Sequence, residues 1–190
     1  MKNKFKDFHH YKGSGLTRFE KVERKVIQLI LSTNIPDQKR EDSQIFEFMH
    51  AAGVTQIGRI LAQKRKLNVE LTSTACVLHD IYVITKGIYK NHAKLGGPIA
   101  EKILKEIGGF SDEEIQTIIN AVSNHSKKEI YTDDPYIELV KDADVFDCSL
   151  YKNAEGFYQL HKPENIFQEY VNRIKKVRDE LKLPAEPVFR

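Results

Sequence analysis

Tryptophan is absent from the 190 residues, and only two cysteines occur, Cys76 and Cys148. The missing tryptophan excludes nothing by itself. Two cysteines cannot build a disulfide framework, and their separation fits no zinc-ribbon spacing. Both lie in apolar helical patterns and read as buried free thiols. Long hydrophobic runs are lacking too: the opening MKNKFKDFHHYKGSG has no signal-peptide core, and no later run approaches a membrane span. A cytoplasmic protein without a membrane partner is expected. Nor is there an excess of one charge. A net charge of +3 is too mild to demand nucleic acid or an anionic membrane, although it suits a phosphorylated small molecule. Internal repeats are missing, and so is two-residue alternation of strand length.

What is present is helical periodicity nearly throughout. With 41% apolar and 30% charged residues, the chain suits one all-α domain spanning 1–190. Phe19, Val22, Val26, Leu29 and Ile30 share one side of a first helix, with Thr17 as its N-cap. A Pro-marked charged loop follows, then a helix from about Ser43 to Lys66 and another from about Val69 to Thr85, capped by Asn68. The segment HAKLGGPIAEKILKEIGG gives a fourth helix, and Ser111 with Glu114 makes a capping box for a fifth, ending near His125. Asp134 and Pro135 open a sixth. A charged last helix spans about Pro163 to Leu181. The first 40 residues and the last 30 read as packing additions.

The ionisable residues can be assigned to helical faces. His50 shares a face with Phe46, Val54, Ile57 and Leu61. His79 and Asp80 interrupt a helix that is apolar on nearly every side, where an uncompensated charge costs several kcal/mol. Neighbours about 100° apart on a helix cannot meet each other, but both can bend toward one point. His125 closes the stripe Ile115, Ile118, Ile119, Val122. Asp144 shares a face with Ile137 and Val140, with Asp147 beside it, while Asp142 falls toward the opposite side and is expected on a solvated face with Lys141. His92 opens the fourth helix, where free amides favour anions. Imidazoles and carboxylates turned inward from different helices make a ligand set for a borderline divalent metal, built as helical bundles build such sites.

The order His50, then LHD ending at Asp80, then HAKLGG, AVSNHS and VKDADVFD, resembles the HD-domain superfamily of metal-dependent phosphohydrolases over roughly residues 45–150. The surroundings look most like small stand-alone bacterial members. The resemblance implies an all-α helical bundle with His50, His79, Asp80 and Asp144 as metal ligands. It also matches His92 and His125 to histidines that, in some branches, complete a second metal position or contact phosphate. There are departures. IYVI follows the HD pair where some nucleotidase and guanosine-tetraphosphate-hydrolase branches place acidic residues. Gly53 stands where many relatives carry Arg, and the signature segment of the cyclic-di-GMP phosphodiesterases is absent.

The expected activity is hydrolysis of a phosphate ester or anhydride of a nucleotide or other small phosphorylated metabolite. Its cofactor would be one divalent ion or two, drawn from Mn, Fe, Co, Ni, Zn and Mg. Asp80 would act as ligand and orienter of the attacking water, and His92 and His125 as second-metal ligands or donors to phosphate. Lys94, Lys127 and Lys128 would attract the substrate. Two alternatives stay open: a non-catalytic metal- or nucleotide-binding sensor module, and a di-iron oxygenase. Nucleic acid is not an expected partner, and a homodimer through the terminal helices stays open.

Overall fold

The computed structural model describes residues 15–190. Among them nine α-helices follow one another: α1 (Arg18–Leu31), α2 (Gln44–Arg65), α3 (Val69–Leu78), α4 (Ile81–Lys86), α5 (His92–Ile107), α6 (Asp112–Asn124), α7 (Pro135–Ser149), α8 (Ala154–His161) and α9 (Glu164–Glu180). A 3-10 turn lies at Asp37–Lys39, and the described residues form no strand. The all-α expectation holds. The opening segment read above as lacking a leader lies outside the described residues. No helix among those described is long and apolar enough to cross a membrane.

Local chemistry sets the helix starts. Thr17 and Ser111 each complete a capping box with the glutamate three residues on. Ser43 accepts from the Phe46 amide, Asn68 from those of Glu70 and Leu71, and Asp134 from those of Tyr136 and Ile137. Each such cap stabilises its helix by about 1 kcal/mol. Between these ends the apolar faces pack around α3, which contacts α1, α2, α6 and α7 and buries every residue from Leu71 to Leu78. Val22, Val54, Leu61, Leu78, Leu104 and Val140 are wholly buried in this core. Each contributes about 1.5–3 kcal/mol relative to exposure.

Three features differ from the sequence expectation. The expected Val69–Thr85 helix breaks in two. His79 ends α3 and Asp80, at φ −100° and ψ 23°, opens α4, in the bridge region where many active-site residues sit. The kink lets the neighbours meet after all, with His79 Nε2 3.3 Å from Asp80 Oδ2. Secondly, α8 was not expected; its short sequence AEGFYQLH follows Asn153 in the left-handed region at φ 69°.

Thirdly, Asp142 is not on a solvated face. It is wholly buried, as is nearly all of Lys141. Asp142 accepts from Arg173 at 2.7 Å and from Arg65 and Lys176 at 2.8 Å each. The helical phase was right, but α9 and the end of α2 cover the side of α7 that faces away from Asp144. Burial would push the Asp142 carboxyl up, yet these three cations hold it below the usual carboxylate range.

Candidate metal centre

Four histidines reach one place from four elements: α2 (His50), the α3–α4 break (His79), the start of α5 (His92) and the end of α6 (His125). In each, Nδ1 is engaged away from the centre. His79 Nδ1 donates to Cys76 O, His92 Nδ1 to Tyr89 O and His125 Nδ1 to Val122 O, all at 2.7 Å. His50 Nδ1 donates to Asp147 Oδ2, also at 2.7 Å. Three of the four use the carbonyl three residues back, which for His79 and His92 also accepts that residue's own amide. Fixing Nδ1–H in this way turns Nε2 toward the centre and, in a neutral imidazole, presents its lone pair there.

The Nε2 atoms converge in two pairs. Those of His50 and His79 lie 3.1 Å apart, and those of His92 and His125 3.0 Å apart. Asp80 stands between the pairs and divides its carboxylate. Its Oδ2 is 3.3 Å from His79 Nε2 and 3.7 Å from His50 Nε2. Its Oδ1 is 3.2 Å from His125 Nε2 and 3.3 Å from His92 Nε2. Asp144 Oδ1 adds to the first pair, 3.4 Å from His50 Nε2.

These residues fit a divalent metal. Asp80 Oδ1 is buried without a hydrogen-bond partner, although Nε2 of His125 and His92 stand 3.2 and 3.3 Å from it. Such a buried acceptor costs about 1–3 kcal/mol or more when nothing satisfies it, and a cation satisfies it. Nitrogen and carboxylate donors suit borderline divalent ions. The groups His50–His79–Asp80 and Asp80–His92–His125 each bring one ligand atom per residue within 4.8 Å of the others. Asp80 belongs to both groups.

The electrostatics agree. Burial opposes charge on His50, but the carboxylates of Asp144 and Asp147 outweigh it and draw the imidazole well above its ordinary range. In the metal-free chain a proton answers those carboxylates; a metal cation would displace it. Burial pushes His125 down to about 4, which leaves it neutral at pH 7. Burial would also raise Asp80, yet the imidazoles of His79 and His125 hold it well below the carboxylate range.

Two residues behind the ligands position them. Asp147 seats His50, and it does so in space that Gly53 leaves empty: a Cβ on Gly53 would stand 2.0 Å from Asp147 Oδ1. No side chain, and certainly not the Arg of many relatives, fits at residue 53 while Asp147 holds this place. Lys128, nearly fully buried, pairs with Asp144 Oδ2 and donates to His125 O at 2.7 Å. Arg173 from α9 fixes the Lys128 carbonyl at 2.6 Å. With His50, Lys128 keeps Asp144 well below the carboxylate range against the opposing effect of burial.

The centre opens into a cavity of about 810 Å³, lined among others by His50, Asp80, His92, Lys128, Asp144 and Tyr89. Lys94 and Lys127 are exposed and do not line it. Of the three expected substrate lysines, the fold brings only Lys128 to the site. Sequence reasoning missed Asp42, Tyr89 and Glu47. Tyr89 donates to Asp42 at 2.5 Å. Glu47 is 1% exposed, and neither of its carboxyl oxygens has a partner. Burial and the nearby Asp80 push it up to about 8. Its place three residues before His50, on the same side of α2, was the available signal.

A family model for the HD domain matches residues 48–148. The chain belongs to the HD-domain family. Among solved structures, it is similar to a predicted HD superfamily hydrolase from an uncultured Thermotogales bacterium. The TM-score is 0.54 at 18% identity, covering 84% of this chain and 88% of that one. At that identity the likeness speaks for the HD fold alone. Comparison with curated proteins gives no match. The matched region contains all four histidines together with Asp80, Asp144, Asp147 and Lys128; α8 and α9 lie outside it.

Proposed function

We propose that this HD-domain protein is a phosphohydrolase that cleaves a phosphate ester or anhydride of a nucleotide or other small phosphorylated metabolite. The observation that carries this reading is the convergence of four Nε2 atoms on the two oxygens of Asp80, beside a buried lysine at the base of a cavity. His50, His79, Asp144 and Asp80 Oδ2 would hold one divalent ion, and His92, His125 and Asp80 Oδ1 a second. When bound, such an ion supplies Lewis acidity toward a phosphoryl oxygen and lowers the pKa of water to near neutrality.

The remaining roles fall to the chain's own residues. Asp80 orients the attacking water by accepting its hydrogen bond. Lys128 has three N–H donors, of which Asp144 and the His125 carbonyl engage two; the third draws a phosphoryl oxygen. Lys94 and Lys127 contribute only long-range attraction, which salt screens. The cavity wall of Phe46, Tyr89 and Tyr151 keeps bulk water from the phosphoryl group. Elemental analysis of the purified protein, followed by a phosphate-release screen over nucleotides with each candidate metal, tests the reading. Metal-dependent release is expected. Bound iron with oxygen consumption and no phosphate release would replace it with the oxygenase, and tight metal binding without any turnover would replace it with the sensor.

A further inference from the structure

The cavity beside the metal centre is also lined by residues of a different kind. Tyr151, Phe157, Tyr158 and His161 line it, with Lys152 and Asn153 at the turn before α8. None of the residues of α8 is buried, yet the helix carries Phe157 at 57% exposure. The ring is not free to swing: Phe157 stacks on His161, with centroids 4.3 Å apart and planes 28° apart. Tyr158, next along α8, packs on Tyr170 at 4.9 Å and anchors the helix to α9. The Asn153 side chain makes no capping bond to the helix that it opens, so its amide is available at the rim. The wall thus offers a flat aromatic face, an amide and a lysine, all facing the same cavity as Lys128 and the histidines.

We propose that α8 and the turn before it form a subsite for the planar heteroaromatic part of a phosphorylated substrate. A nucleobase would stack on Phe157 while its phosphate reaches Lys128 and the histidines. This rests on the phosphohydrolase reading for the position of the phosphate. Stacking takes any base, because every base has a π-face, and the Asn153 amide can both donate to and accept from a base edge. An aliphatic or sugar phosphate would leave the aromatic face uncovered. Since α8 lies outside the family-matched residues, the recognition belongs to the segment that follows the metal-binding core, not to the core itself.

The test is competition binding by ligand-detected NMR on the intact chain, first chelated so that nothing turns over and then with metal restored. The probes are adenosine 5′-monophosphate, uridine 5′-monophosphate and ribose 5-phosphate. Both nucleotides should bind about 10-fold or more tighter than ribose 5-phosphate, the lower part of the range for base–aromatic stacking. In Phe157→Ala and Phe157→Leu that preference should fall toward one, and Phe157→Tyr should keep it. The exposure of Phe157 makes these variants safe for folding, which circular dichroism would check. Equal binding of all three probes, or a preference that survives Phe157→Leu, overturns the subsite. The outcomes separate the two proposals: phosphate released from all three probes without preference removes the subsite and leaves the hydrolase. A preference that Phe157→Leu abolishes, with no phosphate released from any probe, removes the hydrolase and leaves the subsite.

Discussion

Replacing Gly53 by alanine should loosen metal binding without unfolding the protein. The added Cβ would lie 2.0 Å from Asp147 Oδ1 and 2.8 Å from its Cγ, where real Cβ contacts stay beyond 3.0 Å. The carboxylate must therefore retreat by at least about 1 Å, beyond what the 2.7 Å bond to His50 Nδ1 can absorb. Losing such a support behind a metal-ligating histidine costs about 10–100-fold in metal affinity, or roughly 1.4–2.7 kcal/mol. Against this, alanine in a helix interior gains up to about 1 kcal/mol over glycine. The metal-free melting temperature should accordingly change little while the calorimetric metal affinity falls. A double-mutant cycle sharpens the test. Asp147→Ala also removes the bond and gives Cβ its space, so Gly53→Ala should add almost nothing in that background. Fully additive effects, or wild-type metal affinity in Gly53→Ala, would refute the coupling of Gly53, Asp147 and His50.

The other predictions concern the groups around the centre. Asp144→Ala should lose metal, whereas Asp142→Ala should keep the ligand set but lose about 1–3 kcal/mol of stability, because buried Arg173 keeps Glu138 but loses one of its two carboxylate partners. Denaturant unfolding and metal stoichiometry, measured on both, distinguish them, and an Asp142→Ala protein as stable as wild type would contradict the buried network. Alanine at His92 or His125 should lower turnover about 10-fold or more, a result that normal phosphate release in both variants would contradict. In the chelated protein, Glu47 carries its proton up to about pH 8, whereas an unfolded glutamate releases it near 4.5. The folded state thus holds more protons between those values and loses stability as pH rises through them. Glu47→Gln should remove that slope, so its advantage over wild type grows from pH 5 to pH 8; parallel unfolding curves would argue against a buried, unpartnered carboxyl.

Much of this was legible from the chain because caps and faces are local. Thr17, Asn68, Ser111 and Asp134 mark helix starts by what their own side chains can reach, and the inward phase of His50, His125 and Asp144 follows from spacing on a single helix. What stayed hidden depends on other elements. Asp142 points away from the metal centre, as its phase says, but only the arrival of α9 and Arg65 decides that this side is dry. Lys128 was among the lysines expected to attract substrate, but only the fold shows it set between Asp144 and the His125 carbonyl. The break between His79 and Asp80 left no proline or glycine in the sequence. Nor did α8 announce itself, since eight residues with no buried position lack the repeated apolar stripe that marks a packed helix.

The central claim is that the converging Nε2 atoms and Asp80 bind divalent metal, and titration calorimetry on the chelated protein tests it most directly. Manganese titrated into wild type should bind with release of protons, since a proton on His50 must leave as the ion enters, and should raise the melting temperature by mass action. With His79→Ala and Asp80→Asn, folded by circular dichroism, both the binding heat and the thermal shift should vanish. Wild-type affinity and an undiminished thermal shift in those two variants would contradict the account.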